Sequence, residues 1–204
     1  LYLTMINMRL RVNKMTHRYV PFVQQPYCCV AACFQIVMYK HGIPLIPQEE
    51  LAYEMGLVVP EKDMQLFNKV RTGEKPSSGW GTQIQKEEYS PNKLFQRLNV
   101  PLQFSRLSNK DLKDADGLRK LLEEIEKEDK DALLCFDYGR LWDVPSNGGH
   151  VCVFDRIEGD EVHIIDPERN VPKYRTATLS RLFDAMDFHG EHNATGVWLL
   201  DKAN

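Results

Sequence analysis

An apolar stretch follows a polar corner within the sequence VPFVQQPYCCVAACFQIVMYKHG, which runs from Val20 to Gly42. A short β-like segment that begins with Val20-Pro21-Phe22 (the VPF entry) leads into a turn that Pro26 favours. From Cys28 onward no helix breaker appears until Gly42, which supplies a C-terminal stop. Because apolar residues occupy nearly the whole helical wheel, the pattern predicts a helix buried inside the domain.

Near the other end of the chain, β-branched residues mark two predicted strands, 151–157 and 161–165. The residues between them, Glu158-Gly159-Asp160, are typical of a hairpin turn. A three-residue loop makes His150 and Asp166 diagonal neighbours on one face, with Cβ atoms roughly 7–8 Å apart. A two-residue loop would place them on opposite faces, so the pairing depends on the loop.

The remaining patterns predict short helices and strands between and after these two segments. The predicted helices cover 47–56, 91–98, 118–125 and 178–186, and the predicted strands cover 101–104, 132–136 and 195–200. This order predicts an α+β fold in which an N-terminal helical half, with the central helix, packs on an antiparallel β-sheet. We assign 16–204 to this domain and 1–15 to an N-terminal extension.

Composition narrows the classes of protein that fit. The 204 residues carry a net charge of −3, and no basic block is longer than a pair, so nucleic acid is not an expected partner. No stretch approaches the roughly 20 apolar residues of a membrane span. The five cysteines are odd in number and no secretory signal pattern is present, which favours a cytoplasmic location; the oligomeric state stays open.

The candidate chemistry begins at the start of the central helix, where Cys28 and Cys29 lie. Unpaired backbone N–H groups and the helix dipole favour a thiolate there. A cysteine nucleophile also needs a base and a group that orients it, which His150 and Asp166 could supply. The alternatives are a buried structural cysteine or a zinc ligand paired with Cys33, but no second pair at ligand spacing follows. We therefore expect neither a metal nor a cofactor.

Two segments resemble a known family. The sequence CVAACFQIVMYKHG resembles the nucleophile helix of the bacteriocin-processing (double-glycine leader) peptidases, and GHVCV with VHIIDP resembles their His–Asp hairpin. Alignment on Ala32 and Gly42 places the family's nucleophile on Cys29, its histidine on His150 and its aspartate on Asp166. The resemblance implies a stand-alone, divergent papain-like cysteine peptidase, which cleaves a peptide or amide bond through a thioester. It departs from the family pattern where Val follows the nucleophile in place of Gly.

The resemblance also implies a glutamine in the oxyanion hole, about six residues before the nucleophile. Gln24 and Gln25 are the candidates, and alignment on the VPF entry favours Gln25. Gly149, beside the histidine, is expected to line the substrate cleft. Trp80, between two glycines in a loop, would either cover the cleft or anchor the loop to the core.

Three functions remain compatible with these residues. Hydrolysis of a peptide or protein substrate is the expected reaction. Acyl transfer of the transglutaminase type would use the same three residues and differ only in the nucleophile that resolves the thioester. A papain-like module that binds a peptide without cleaving it is the third possibility.

Overall fold

The computed structural model describes residues 17–146 and 148–203. The predicted extension over 1–15 lies outside the described residues, so the domain bounds stay a prediction. The central helix, α1, spans Cys29–Lys40 and buries most of its circumference, as its apolar wheel predicts. It begins after Tyr27, whose φ of 64° turns the chain into the helix.

The described residues form six further α-helices and eight strands. The helices are α2 (Gln48–Glu54), α3 (Pro91–Arg97), α4 (Asn109–Leu112), α5 (Ala115–Lys127), α6 (Tyr138–Trp142) and α7 (Leu179–His189). The strands are β1 (Val58–Val59), β2 (Arg71–Thr72), β3 (Leu102–Leu107), β4 (Asp131–Asp137), β5 (Gly149–Glu158), β6 (Glu161–Ile165), β7 (Tyr174–Thr178) and β8 (Gly196–Lys202). Six strands form an antiparallel sheet in the order β3-β8-β4-β5-β6-β7, and β1 and β2 form a small parallel pair. The predicted α+β fold is confirmed.

Hydrophobic residues cover both faces of the six-stranded sheet. Successive residues of β4 point to opposite faces of the sheet. Leu133 packs into the core with α1, and Leu134 packs into the core with α5 and α7. The second helical layer explains why β4 is buried along its whole length. None of the helices within the described residues has the length and apolar character that crossing a bilayer requires.

The β5–β6 hairpin reaches the expected pairing by an unexpected route. Glu158 pairs with Glu161, which leaves a two-residue turn, so the predicted three-residue loop is wrong. A β-bulge at Asp155 then shifts the register by one residue. The bulge restores the register that a three-residue loop would have given, and His150 and Asp166 project to the same face.

His17 and Arg18, which precede the central helix, hold the bulged residue Asp155 in place. The carboxylate of Asp155 is buried, and it accepts hydrogen bonds from His17 Nδ1 at 2.8 Å and from the backbone N–H of Arg18 at 2.9 Å. Arg156 Nη1 donates to the same carboxylate at 3.0 Å. Because the extra residue has no partner in the strand ladder, these contacts stabilise the bulge itself.

Replacing Asp155 with Ala is expected to lower the free energy of unfolding by about 2–3 kcal/mol, since the change removes a buried acceptor shared by three partly buried donors. Urea unfolding followed by circular dichroism would measure this loss. Glu158→Ala is the matched control, because that exposed carboxylate also binds Arg156 but only at the surface, where ion pairs contribute little. Equal effects of the two substitutions would contradict the role of Asp155.

Candidate active site

A cavity of about 550 Å³ lies between the N-terminal end of α1 and the sheet. Its lining includes Cys29, His150, Gln24, Trp80 and Gly149. All five are candidates from the sequence, and the fold brings them together from distant parts of the chain. This volume lies within the usual range of ligand-binding pockets.

Cys29 is the first residue of α1 and is partly exposed to the cavity. Cys28 precedes it as the N-cap residue and has a buried side chain. Burial raises the pKa of the Cys28 thiol to about 12. Of the two neighbouring thiols, Cys29 is therefore the one that solvent and substrate can reach.

His150 begins the buried part of β5 and connects Cys29 with Asp166. Its Nε2 atom lies 2.8 Å from Asp166 Oδ1, so Nδ1 is the ring atom that remains for Cys29, which lines the same cavity. Burial alone would lower the pKa of the imidazole, but the hydrogen bonds to Asp166 and Cys29 raise that pKa to about 10. The raised pKa favours a protonated imidazole at neutral pH.

Asp166 lies behind His150 and is completely buried. Its Oδ1 atom also accepts the backbone N–H of Glu168 at 2.9 Å, and its Oδ2 atom accepts Arg175 Nη1 at 2.8 Å. Burial alone would raise the pKa of this carboxyl group, but the hydrogen bonds and the charged imidazole and guanidinium groups lower it to about 2. Asp166 therefore stays ionised and fixed in orientation.

Aromatic side chains enclose this group of residues. The ring of Tyr138 meets the imidazole of His150 edge to face, with centroids 5.0 Å apart. The guanidinium of Arg175 donates to the Tyr138 hydroxyl at 3.2 Å and lies 3.4 Å from the centroid of the Trp142 ring. Sequence reasoning assigned no role to Arg175, because it lies on β7, a strand that the patterns did not predict.

The two candidate glutamines lie on different sides of the chain. Gln24 is 9% exposed and lines the cavity, and its Nε2 atom donates to Glu168 Oε2 at 2.9 Å. Gln25 is exposed and does not line the cavity, and its backbone N–H donates to Gln48 Oε1 at 2.7 Å. Side chains of consecutive residues in an extended segment point in opposite directions, so only one of the pair can reach the cavity. The alignment favoured Gln25, whereas Gln24 is the one that lines the cavity.

The cavity wall beside His150 is formed by a glycine packed on a second histidine. A Cβ atom at Gly149 would lie 2.4 Å from His189 Cε1, so no side chain fits between them. His189 lines the cavity as well, and burial lowers the pKa of its imidazole. Trp80 lies on the cavity wall, as the cleft hypothesis requires, while its role as a lid stays a prediction.

Among the described residues, possible ligand atoms of His150, Cys152 and Asp166 lie within 4.8 Å of one another, which is close enough to surround a metal ion. The donor set does not suit a cation. Both carboxylate oxygens of Asp166 already accept hydrogen bonds, and the guanidinium of Arg175 lies against one of them. Burial raises the pKa of the Cys152 thiol well above its usual value, which opposes the thiolate that a metal needs.

Comparisons with known proteins support the fold. No protein-family model matches the chain, and no curated protein matches it in sequence. Among the solved structures that match is a protein from Bacillus anthracis, provisionally named a C39-like peptidase, with a TM-score of 0.57 and 15% sequence identity. The match covers 91% of this chain and 96% of that one. The protein therefore has a fold distantly related to that of a C39-like peptidase, which agrees with an α+β, papain-like arrangement.

Proposed function

We propose that the protein is a cysteine peptidase or amidohydrolase that cleaves its substrate through a thioester on Cys29. The observation that supports this most directly is that Cys29 and His150 line one cavity, while the ring of His150 is hydrogen-bonded to the buried carboxylate of Asp166. A buried structural cysteine would need neither the accessible position nor the charged partners. The fold of the C39-like neighbour agrees with a cysteine peptidase.

The reaction begins when the Cys29 sulfur attacks the carbonyl carbon of the scissile bond. His150 Nδ1 already holds the proton that the thiol has given up, and it donates this proton to the departing amine. Asp166 holds a proton on Nε2, so that Nδ1 faces the sulfur. A water molecule, deprotonated by the same imidazole, then attacks the thioester and releases the carboxylic acid.

The negative oxygen of each tetrahedral intermediate needs hydrogen-bond donors. The backbone N–H of Cys29 is suited to this task, because the first N–H groups of a helix have no partner inside the helix. The side-chain amide of Gln24 is the second donor, since it lines the same cavity. Gln25 does not line the cavity, so the proposed mechanism gives it no role.

Substitution of each glutamine tests this assignment. Gln24→Ala is expected to lower kcat by about 10²-fold, the usual effect of removing one oxyanion donor. Gln25→Ala is expected to leave kcat within about twofold, because a surface side chain is lost. Steady-state kinetics on any cleaved peptide would measure both. The reverse order of effects would assign the oxyanion hole to Gln25.

A mixed peptide library, analysed by mass spectrometry after incubation with the protein, tests the function itself. We expect cleavage products with the wild type and none with Cys29→Ala. Adding a primary amine separates the two acyl-transfer outcomes, because an acyltransferase would form amide adducts in place of free acids. Retention of intact peptides without cleavage would instead support a binding module.

A further inference from the structure

The short segment from Asp166 to Glu168 contacts both halves of the candidate site. Asp166 binds the imidazole of His150, as described above. The next residue, Pro167, accepts the backbone N–H of Gln24 at 2.9 Å, and Glu168 Oε2 accepts the side-chain Nε2 of Gln24 at 2.9 Å. A single connection after β6 therefore holds the base and the oxyanion glutamine together.

The side chain of Gln24 keeps an unfavourable orientation. Its Oε1 atom is buried and has no hydrogen-bond partner among the described residues. Such an orphan acceptor costs about 1–3 kcal/mol. Rotating the amide by 180° would not relieve it, because Oε1 would then face the Glu168 carboxylate, which cannot donate while ionised. The carboxylate thus dictates which end of the amide turns toward it.

We propose that Glu168 is a positioning residue that holds the amide of Gln24 with its nitrogen available to the substrate carbonyl oxygen. The Nε2 atom has two hydrogens; one binds Glu168, and the other remains for the oxyanion. The carboxylate is itself fixed, because Glu168 Oε1 accepts the backbone N–H of Arg169 at 2.8 Å. This role rests on the proposed function, since it matters only if Cys29 forms a tetrahedral intermediate.

Two small reagents that require no knowledge of the natural substrate can test the role. With 4-nitrophenyl acetate, the Cys29 sulfur bonds to the acetyl carbon, the ester C–O bond breaks and 4-nitrophenolate leaves, through an oxyanion. With iodoacetamide, the same sulfur displaces iodide from carbon and no oxyanion forms. The ratio of the two rates at Cys29 therefore isolates the oxyanion hole from the reactivity of the thiol.

The informative variant is Glu168→Gln, which keeps the size of the side chain but can donate as well as accept. The amide of Gln24 would then adopt either orientation. We expect acylation by 4-nitrophenyl acetate to fall about tenfold, a fraction of the loss for removing an oxyanion donor, while alkylation by iodoacetamide stays within about twofold. Glu168→Ala should behave similarly, and Glu124→Gln, an exposed change of the same charge on α5, should alter neither rate.

Coupling to Gln24 separates positioning from a general structural effect. In the Gln24→Ala background, adding Glu168→Gln should cause no further loss of acylation, because the amide that Glu168 orients is gone. Additive losses, or equal acylation by wild type and Glu168→Gln, would overturn the inference and leave the proposed function intact. If Cys29 in the wild type reacts with neither reagent faster than free cysteine, the proposed function fails instead.

Discussion

Replacing His150 with Ala is expected to lower peptide turnover by about 10⁴-fold, the scale seen when one member of such a triad is removed. It should also lower the rate at which iodoacetamide alkylates Cys29 at pH 6 by at least about tenfold. The physical reason is electrostatic: a protonated imidazole that lines the same cavity as the sulfur favours the reactive thiolate. Loss of the imidazole removes both this charge and the proton carrier.

The pH dependence of alkylation gives the sharper test of His150. Because the pKa of its imidazole is raised to about 10, His150 stays charged from acidic pH through neutrality, so the gap in alkylation rate between the wild type and His150→Ala should be present at pH 6 as well as at pH 8. The matched control is His163→Ala on β6, which does not line the cavity. If alkylation in His150→Ala matched that of the wild type at pH 6, the histidine would not activate the thiol.

The same pKa shift has a consequence for stability. The folded-state pKa of His150 lies above the unfolded value of about 6.5. Its contribution to the free energy of unfolding is therefore fully present below about pH 6.5 and is lost as the pH rises toward 10. Asp166 behaves in the opposite sense, since its pKa is lowered to about 2 and its contribution disappears as the pH falls from about 4 toward 2.

The central helix and the approach of His150 to Asp166 could be predicted from local patterns. The start and end of α1 depend on residues adjacent in sequence, such as Gly42, which has a positive φ. The strands of the hairpin likewise follow from their β-branched residues. These features depend on interactions within a few residues, which is the range that a sequence pattern describes.

The parts that sequence reasoning missed depend on distant residues. The bulge at Asp155 is stabilised by His17 and Arg18, which lie more than a hundred positions earlier in the chain. The predicted loop was wrong for that reason, although its geometric consequence was right. The hydrogen bond that Gln24 makes to Glu168 likewise joins residues far apart in the chain, and no local pattern marks it.

Replacing Asp166 with Asn is expected to lower kcat by about 10³–10⁴-fold, because the buried site offers an amide no suitable orientation. The carboxylate accepts hydrogen bonds from His150, from the Glu168 backbone and from Arg175. An amide oxygen facing Arg175 would turn the NH₂ group toward His150 Nε2, and that donor would select the tautomer with its proton on Nδ1. The imidazole could then no longer take a proton from Cys29.

The guanidinium of Arg175 determines which end of the new amide at position 166 faces His150, because it can only donate hydrogen bonds. A second substitution at Arg175 should therefore partly restore activity. In the double variant Asp166→Asn with Arg175→Gln, the new glutamine oxygen can accept from the NH₂ group of the amide, which leaves the amide oxygen free to accept from His150 Nε2–H and from the Glu168 N–H. We expect turnover about tenfold above that of Asp166→Asn alone, although Arg175→Gln by itself should reduce activity. Steady-state kinetics on the same peptide, with urea unfolding to confirm that each variant is folded, would measure this. A double variant no more active than Asp166→Asn would show that Arg175 does not govern the orientation of residue 166, and the loss would then reflect the missing charge alone.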